Sequence, residues 1–297
     1  MGKLAIISDL HVDINHLNDK ELAMLRNFCL EQGITRLHFA GDIANKVDRA
    51  LAVVDFFDCA IPTTFHWENH EMPDIQQEND FENFKDNRFL NFTTVDLSEN
   101  TVLVGINGWY DYQFSDLKDE KEIKRLKNLF WYDRMIDRKG TDPEISTAIC
   151  EKLQVFLASI PIQKQVILST HFVPKPEFIV HQSGKYARWN HLNAFLGSPD
   201  FGRVIDRFSN VSDVVFGHTH RRFKKQKING IYYHCRPFGY YYEWQLSREF
   251  VKENQLSEVL EPTKLRGVLR RHDKEFLHYR KVHLLEEVQK GMTILDY

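Results

Sequence analysis

The sequence lacks the features that mark membrane proteins, disulfide-rich proteins and strongly charged nucleic-acid-binding proteins. No stretch approaches the roughly 20 consecutive apolar residues that a membrane-spanning helix needs. The four cysteines are far apart and form no C-x-x-C pair, which argues against a disulfide framework. The formal net charge of −3 gives no overall attraction to nucleic acid or to an anionic membrane. The first apolar run, Leu4 to Ile7, is too short for a signal peptide, so we expect a cytoplasmic protein.

The composition otherwise predicts an ordinary globular protein. A hydrophobic content of 42% over 297 residues is sufficient to bury a substantial core. Cys29, Cys59 and Cys150 lie in apolar segments with helical patterns, and we expect them to be small buried hydrophobic residues in a reducing compartment.

The order of apolar runs and helical patterns predicts an α/β fold. Short apolar runs end at Ile7, Ala40 and Phe65, and two segments with helical spacing separate them. The first of these segments starts with a capping box, Asn18 followed by Glu21. Strand, helix, strand, helix, strand is the order of parallel βαβ units, which bind ligands at the carboxyl ends of their strands.

The second half of the chain continues the alternation and then changes character. We predict strands over 92–95, 101–106, 166–170 and 214–216, and amphipathic helices over 119–136 and 143–159. Asn229-Gly230 between two β runs predicts a hairpin. Residues from about 247 onward are charged and mostly helical in pattern, with Gly267 as an interruption. We therefore expect a main domain over residues 1–246 and a mainly helical extension over 247–297 packed on it.

Residues of types that bind metal ions follow apolar runs in five separate segments. There are seven of them: Asp9, His11, Asp42, Asn69, His171, His218 and His220. A single Asp-x-His motif carries little information, because a helix cap or a polar loop explains it equally well. Gly217-His218-Thr219-His220 is more informative, because alternate residues of an extended segment point to one side and glycine permits an unusual backbone conformation. Five strand ends that each carry a ligand predict one site where the strands converge.

The ligand types indicate two divalent ions of the transition series. Imidazole, carboxylate and amide oxygen suit Mn, Fe, Zn, Ni or Co better than Ca, which takes more oxygen ligands. Two such ions bring about four positive charges, of which Asp9, Asp42 and a hydroxide would offset three. The remaining positive charge would attract a phosphate group and stabilise the charge on its oxygens during hydrolysis.

The seven residues follow a known pattern, and the sequence resembles the calcineurin-like metallophosphoesterase superfamily. That pattern is D-x-H, G-D, G-N-H-[DE], a lone histidine and G-H-x-H, and here it spans Asp9 to His220. The resemblance implies two β-sheets packed as a sandwich, flanked by helices, with residues 1–246 as the catalytic domain. It also implies two ligand sets that share Asp42 as a bridge: Asp9, His11 and His220 for one ion, and Asn69, His171 and His218 for the other.

The resemblance implies a hydrolase whose substrate is a phosphate ester. A hydroxide that bridges the two metal ions would attack phosphorus in line, because paired ions lower the pKa of bound water toward about 7. His70 would face the substrate, where it would stabilise the transition state or protonate the leaving oxygen. We expect a small phosphomonoester or phosphodiester as substrate, because nothing in the sequence resembles an added docking domain for protein or nucleic acid.

The chain departs from the family pattern at two positions. Glu68 stands where a glycine usually precedes Asn-His, so either Glu68 adopts a strained conformation or the turn differs. Asn45 stands where some relatives carry an aspartate that supports the histidine, in the longer G-D-x-V-D-R-G motif. Its absence argues against the activity of a protein phosphatase.

Two other functions are compatible with the sequence. A nuclease or phosphodiesterase acting on nucleic acid would use the basic run Arg221 to Lys227, although such a run is more often a solvated edge strand. The second function is that of a non-catalytic scaffold that retains the metal-containing fold.

Several aromatic residues and histidines are weaker candidates for positions beside the site. Tyr110, Trp131 and Trp189 are candidates for stacking a base or sugar, with core packing as the alternative. His181 and His191 are candidates for the mouth of the site, with an ordinary surface or core position as the alternative.

Overall fold

The structure, a computed structural model, describes residues 2–297 as ten β-strands and nine α-helices. The strands are β1 (Lys3–Ile7), β2 (Arg36–Ala40), β3 (Thr63–His66), β4 (Thr93–Asp96), β5 (Thr101–Gly105), β6 (Gln165–Ser169), β7 (Val211–Phe216), β8 (Gln226–Ile228), β9 (Ile231–Cys235) and β10 (Thr293–Asp296). The helices are α1 (Asp19–Glu31), α2 (Val47–Asp58), α3 (Glu78–Glu82), α4 (Glu120–Phe130), α5 (Asp142–Ser159), α6 (Pro199–Ile205), α7 (Gln245–Glu253), α8 (Pro262–Arg271) and α9 (Asp273–Lys290).

The strands form two sheets whose inner strands are parallel. The first sheet has the order β10-β1-β2-β3, with β1, β2 and β3 parallel and β10 antiparallel to β1. The second has the order β4-β5-β6-β7-β9-β8, with β5, β6, β7 and β9 parallel. The predicted hairpin is the β8–β9 turn, where Asn229 and Gly230 both have positive φ, as this type of turn requires.

Side-chain alternation along the strands produces three apolar layers. In β1, Ala5 and Ile7 face the helices that cover the first sheet, whereas Leu4 and Ile6 face the second sheet. A third cluster lies between the second sheet and its own helices, including α5 and α6. The order of layers is therefore helix, sheet, sheet, helix, which confirms the predicted two-sheet sandwich.

Two capping boxes start long helices. The Asn18 side chain accepts hydrogen bonds from the backbone of Lys20 and Glu21, and Glu21 reaches back to the backbone of Asn18, which confirms the predicted start of α1. Thr141 and Glu144 do the same at α5, with Pro143 in the first turn.

The C-terminal segment differs from the prediction at two points. Gly267 lies inside α8, and the helical run is broken instead at His272, between α8 and α9. The chain then forms β10, which pairs with β1 and extends the first sheet. This short strand was not predicted, because its pairing partner lies at the other end of the chain. The division into residues 1–246 and 247–297 stays a prediction.

The helix predicted over 119–136 is shorter than expected. α4 stops at Phe130, Trp131 is extended with φ −100° and ψ 143°, and a 3₁₀ turn follows at Tyr132–Met135. The break redirects the chain, so that Tyr132 and Asp133 reach the carboxyl ends of the strands in the first sheet.

The burial expected for three of the cysteines is found at two of them. Cys29 and Cys150 are buried as predicted, but Cys59 is exposed, because it follows the last turn of α2 that packs on the sheet. All four cysteines are free. Within residues 2–297 there is no helix both long enough and apolar enough to span a bilayer.

Candidate metal centre

Each of the seven candidate ligands follows the carboxyl end of a strand, as the sequence indicated. Asp9 and His11 follow β1, Asp42 follows β2, Asn69 follows β3, His171 follows β6, and His218 and His220 follow β7. Because the parallel strands of each sheet end at the same edge, the loops that carry these residues meet there. They are tied together by hydrogen bonds, such as those from the backbone N–H of His11 to the Asp42 carbonyl (2.9 Å) and from Gly217 to the His171 carbonyl (3.0 Å).

The first group of candidate ligands consists of Asp9, His11 and His220, whose ligand atoms lie within 4.8 Å of one another. The Nε2 atoms of His11 and His220 are 3.1 Å apart, and His220 Nε2 is 3.2 Å from Asp9 Oδ1. Two ligands at right angles on one ion, with bonds of about 2.1 Å, would be about 3 Å apart. The spacing therefore fits donors that share one cation.

The second group consists of Asp42, His171 and His218, and Asp42 links it to the first. Asp42 Oδ2 is 3.2 Å from His171 Nε2 and 3.7 Å from His11 Nε2. The rings of His171 and His218 are 5.0 Å apart between centroids. One carboxylate oxygen thus lies between a histidine of each group.

Hydrogen bonds to the other ring nitrogen orient three of the four histidines. His171 Nδ1 lies 2.9 Å from the Ala40 carbonyl, His218 Nε2 lies 3.1 Å from the Phe195 carbonyl, and His220 Nδ1 lies 2.7 Å from the Glu243 carboxylate. In each case an oxygen acceptor holds one ring nitrogen, and the other nitrogen is the one available to a metal ion once it carries no proton. Ligand histidines in metalloproteins are usually held in this way.

A hydrogen bond also orients the side-chain amide of Asn69. Its Nδ2 donates to Asp133 Oδ1 at 2.8 Å, whereas its buried Oδ1 has no hydrogen-bond partner in the described part of the chain. A buried carbonyl oxygen without a donor is costly unless a cation or another group satisfies it. The donor set therefore fits divalent metal ions, with the Asn69 oxygen as a ligand.

Five of the seven candidate ligands have a left-handed backbone conformation that side chains other than glycine rarely adopt. Their φ values are positive: 58° at Asp9, 43° at His11, 54° at Asp42, 65° at His218 and 49° at His220. Each such residue costs roughly 1–3 kcal/mol, and strain of this kind clusters at functional sites. Nothing in the sequence pattern identified this feature beforehand.

Gly217 is needed for space and not for its backbone conformation. It is absent from the residues of positive φ, but a Cβ atom there would lie 2.1 Å from Asp9 Oδ2 and 2.4 Å from Ser8 Oγ. The missing side chain allows the Asp9 carboxylate to accept hydrogen bonds from the backbone N–H of His218 at 3.1 and 3.2 Å.

His70 lies beside both groups, and it forms a third group of possible metal ligands with His11 and Asp42. Its Nδ1 donates to Asn45 Oδ1 at 2.7 Å, and its Nε2 is 3.2 Å from the Tyr240 hydroxyl. The Tyr132 ring stacks on it at 4.0 Å with an interplanar angle of 9°. Its backbone N–H donates to Asp42 Oδ1 at 3.1 Å. Asn45 and Tyr240 thus orient the ring, with the Tyr240 hydroxyl as the hydrogen-bond partner of Nε2.

Tyr240 and Glu243 are contacts that the sequence did not predict. Both follow β9, a sixth strand end at the site, and the Tyr240 ring lies 4.7 Å from His11 and 4.3 Å from His220 between centroids. The only signal for them in the sequence is the aromatic run after the hairpin. The spacing of its residues does not show whether they lie at a site or in the core. Asp133 was missed for another reason, because it was assigned to the interior of a helix.

Two buried glutamates support the loop that carries Asn69. Glu71 accepts hydrogen bonds from four backbone N–H groups, those of Asp42, Ile43, Ala44 and Glu68, and so joins two loops. Glu68 is outside the left-handed region, so the turn differs from one that requires glycine. The side chain of Glu68 fills space against Gly41, where a Cβ atom would come within 2.1 Å of its Cγ.

Burial and neighbouring charges shift the pKa values of the groups at the centre. Burial opposes charge on His171, but Asp42 and Asp9 raise its pKa to about 9. Burial also opposes charge on His220, but Glu243 and Asp9 raise its pKa well above the usual value. Burial lowers the pKa of His70. Burial, opposed by Lys127 and Asn69, raises the pKa of Asp133 to about 7.

The weaker candidates from the sequence have different positions. Tyr110 is fully buried and belongs to the core of the second sheet. Trp131 is half-buried, and its ring lies 6.0 Å from that of His218, whereas Trp189 is exposed. His181 is exposed beside Asp116, and His191 is half-buried.

The basic run after His220 belongs to the edge of the second sheet. β8 is an edge strand, as expected for a lysine-rich segment of this kind. Arg222 pairs with Glu287 at 2.7 Å, and Lys225 and Lys227 both lie over the Tyr232 ring.

No protein-family model and no curated protein matches the sequence. Among solved structures, the chain is similar to phosphopantetheinyl hydrolase from Mycobacterium tuberculosis, with a TM-score of 0.60 and 16% sequence identity over 82% of this chain and 92% of that chain. It also matches a dimetal phosphatase from Danio rerio with a TM-score of 0.45 and 15% identity, over 80% of this chain and 87% of that one. The first similarity, at this low identity, shows the fold alone. The chain therefore shares its fold with that hydrolase, and the two-sheet sandwich flanked by helices is the architecture that the family resemblance implies.

Proposed function

We propose that the protein hydrolyses a phosphate ester with two divalent metal ions held by the candidate metal centre. The observation that carries this proposal is the position of Asp42 Oδ2, between His11 of one ligand group and His171 of the other. The ligand sets are those implied by the family resemblance: Asp9, His11, Asp42 and His220 for one ion, and Asp42, Asn69, His171 and His218 for the other. When bound, the ions would supply Lewis-acid charge for the phosphate oxygens and a water that ionises near neutral pH.

Neighbouring residues fix the charge of Asp9 and the orientation of three histidine rings in the candidate metal centre. Burial favours the neutral form of Asp9, but His171 and His220 lower the pKa of its carboxyl, so it is ionised and able to bind a cation. The hydrogen bonds to Ala40, Phe195 and Glu243 hold one nitrogen of each ring, so that the other nitrogen is the one available to a metal ion.

His70 and Tyr240 are the groups that we propose to contact the ester. The Nδ1 hydrogen bond to Asn45 leaves His70 Nε2 for the substrate, beside the Tyr240 hydroxyl. Because burial lowers the pKa of His70, Nε2 is unprotonated near pH 7, and the Tyr240 hydroxyl is the proton donor within reach of it. Stacking on Tyr132 holds the ring in place, so both groups are positioned before the substrate arrives.

A small phosphomonoester or phosphodiester is the substrate class that we propose. The candidate ligands of the first sheet are buried, and Tyr240 covers His11 and His220, which favours an ester that enters a confined site. The shared fold with a phosphopantetheinyl hydrolase supports this at the level of fold alone. For nucleic acid, the basic run gives little support, because Arg222 is committed to Glu287. The four free cysteines support our proposal of a reducing, cytoplasmic environment.

Metal analysis combined with two model substrates tests the proposal. The purified protein is expected to hold close to two ions per chain and to hydrolyse p-nitrophenyl phosphate or bis-p-nitrophenyl phosphate with added manganese. The ratio of the two rates separates a monoesterase from a diesterase. Stable binding of two ions with no hydrolysis of either ester would instead support the non-catalytic scaffold.

Metal binding is expected to release protons, because two of the proposed ligands are protonated in the metal-free protein at pH 7. The pKa of His171 is raised to about 9 and that of His220 is raised well above its usual value, whereas a ligand imidazole must be neutral. Titration of manganese into chelator-treated protein, by calorimetry in buffers of different ionisation enthalpy, should show about two protons or more released per chain at pH 7.

The pH dependence and a variant check the source of these protons. Release should fall as the pH rises above about 9, where His171 is already neutral, and metal affinity should weaken as the pH falls. His171→Asn should release about one proton fewer than the unmodified protein. Metal binding at pH 7 without proton release would contradict the raised pKa values of His171 and His220, and unchanged release in His171→Asn would exclude His171 as a source of the protons.

A further inference from the structure

A second concave site lies between the C-terminal helices and the loops at the metal centre. It is a cavity of about 680 Å³, within the range of about 300–1,000 Å³ that is common for small-molecule sites. Its lining comes from α8, from α9, from His16 and from Tyr241, the neighbour in sequence of Tyr240. The cavity shares no lining residue with the seven candidate metal ligands.

The lining of this cavity includes a buried arginine whose guanidinium is only partly satisfied, with neither Nε nor Nη2 in a hydrogen bond of good geometry among residues 2–297. The Arg280 side chain is 3% exposed, its Nη1 donates to the Asn15 carbonyl at 2.7 Å, and its Nε is 2.8 Å from Glu21 Oε1. Its Nη2 is buried and has no hydrogen-bond partner among residues 2–297. A buried donor on a charged group is costly when it lacks a partner, and an anion would satisfy it.

Two further arginines give the cavity a positive surplus. Arg266 and Arg270 are four residues apart on α8, so they lie on one face of the helix, and both are exposed residues that line the cavity. Against the three arginines stand two carboxylates, Asp273 in the lining and Glu21 beside Arg280. One positive charge remains, although the whole protein has a formal net charge of −3.

Apart from His16, the rest of the lining is apolar and aromatic. Tyr241, Leu269 and Phe276 contribute to it, with the rings of Tyr241 and Phe276 6.2 Å apart. Leu277 adds a side chain that is 47% exposed. Arginines beside apolar and aromatic surface fit a ligand that has an anionic group and an apolar or aromatic part.

We propose that this cavity binds a small amphipathic anion, that is, a phosphate, sulfonate or carboxylate attached to an aromatic or apolar group. The anionic group would contact Arg280 and Arg270, and the apolar part would pack on Tyr241 and Phe276. The site is independent of the proposed hydrolysis, because it uses none of the groups assigned to that reaction.

A pair of fluorescent probes tests the proposal on the full-length protein without any hydrolysis. 8-Anilinonaphthalene-1-sulfonate carries a sulfonate on an aromatic body, and N-phenyl-1-naphthylamine is its neutral counterpart. Fluorescence titration should show about tenfold tighter binding of the sulfonate. Affinity for the sulfonate should be the same within about twofold with and without EDTA, because the metal centre is not involved.

Two neighbouring arginines give a matched comparison. Arg270 lines the cavity, whereas Arg271 is an exposed residue of the same helix that does not. Arg270→Glu should weaken sulfonate binding about fivefold or more and leave the neutral probe within about twofold, whereas Arg271→Glu should leave both within about twofold. Equal effects of the two variants, equal binding of the two probes, or loss of sulfonate binding with EDTA would overturn the proposal.

Discussion

Replacing Asp42 by asparagine is expected to lower turnover of p-nitrophenyl phosphate by about 10³-fold or more and to reduce the metal content to one ion or fewer per chain. The amide keeps the shape of the side chain but removes its negative charge, and it presents N–H donors where a bridging oxygen is needed. Because Asp42 Oδ2 lies between His11 and His171, this single change affects both ligand groups. Metal analysis and turnover measured on the same preparation check the result.

Asp48→Asn is the matched control, since it makes the same change at an exposed position in the first turn of α2. It should retain the metal content and turnover of the unmodified protein, and both variants should give the same far-ultraviolet circular dichroism spectrum. Two ions per chain in Asp42→Asn, with turnover within about tenfold of the unmodified protein, would remove Asp42 from the bridging role.

Replacing His70 by asparagine is expected to lower turnover by about 10²- to 10⁴-fold while the metal content stays unchanged. The backbone N–H of residue 70, which donates to Asp42 Oδ1, is preserved, and His70 has hydrogen-bond partners on both ring nitrogens already. The loss should therefore appear in the reaction and not in the assembly of the centre. Turnover and metal analysis on the same samples separate the two.

A comparison of leaving groups distinguishes the two roles considered for His70. If the His70–Tyr240 pair supplies the leaving oxygen with a proton, His70→Asn should affect phenyl phosphate more than p-nitrophenyl phosphate, whose leaving group needs less protonation. If His70 stabilises charge on phosphorus-bound oxygens, the two losses should be similar. His181→Asn, at an exposed histidine, is the control. Turnover that stays near the unmodified level for both esters would exclude His70 from the reaction.

The sequence was sufficient to predict the strands that lead to the site and the capping box at the start of α1. These features depend on residues close together in sequence: Asn18 caps a helix through Glu21, and Asn229-Gly230 turns the chain through its own φ angles. The same local reasoning failed where distant contacts decide the conformation. Trp131 ends α4 and starts the turn that places Asp133 on Asn69, and no periodic pattern signals this. β10 escaped prediction because its register is set by β1.

What the sequence determined by itself is the identity of the metal-binding residue types and their positions after apolar runs, because both are properties of short segments. Only the tertiary structure decided which oxygen of Asp42 lies between the two ligand groups, and which partners orient His171, His218 and His220. It also decided that Tyr240 contacts His70, 170 positions away along the chain. The contacts of Asp42 with His171 and of Tyr240 with His70 join loops from different sheets, and their geometry follows from how the two sheets pack.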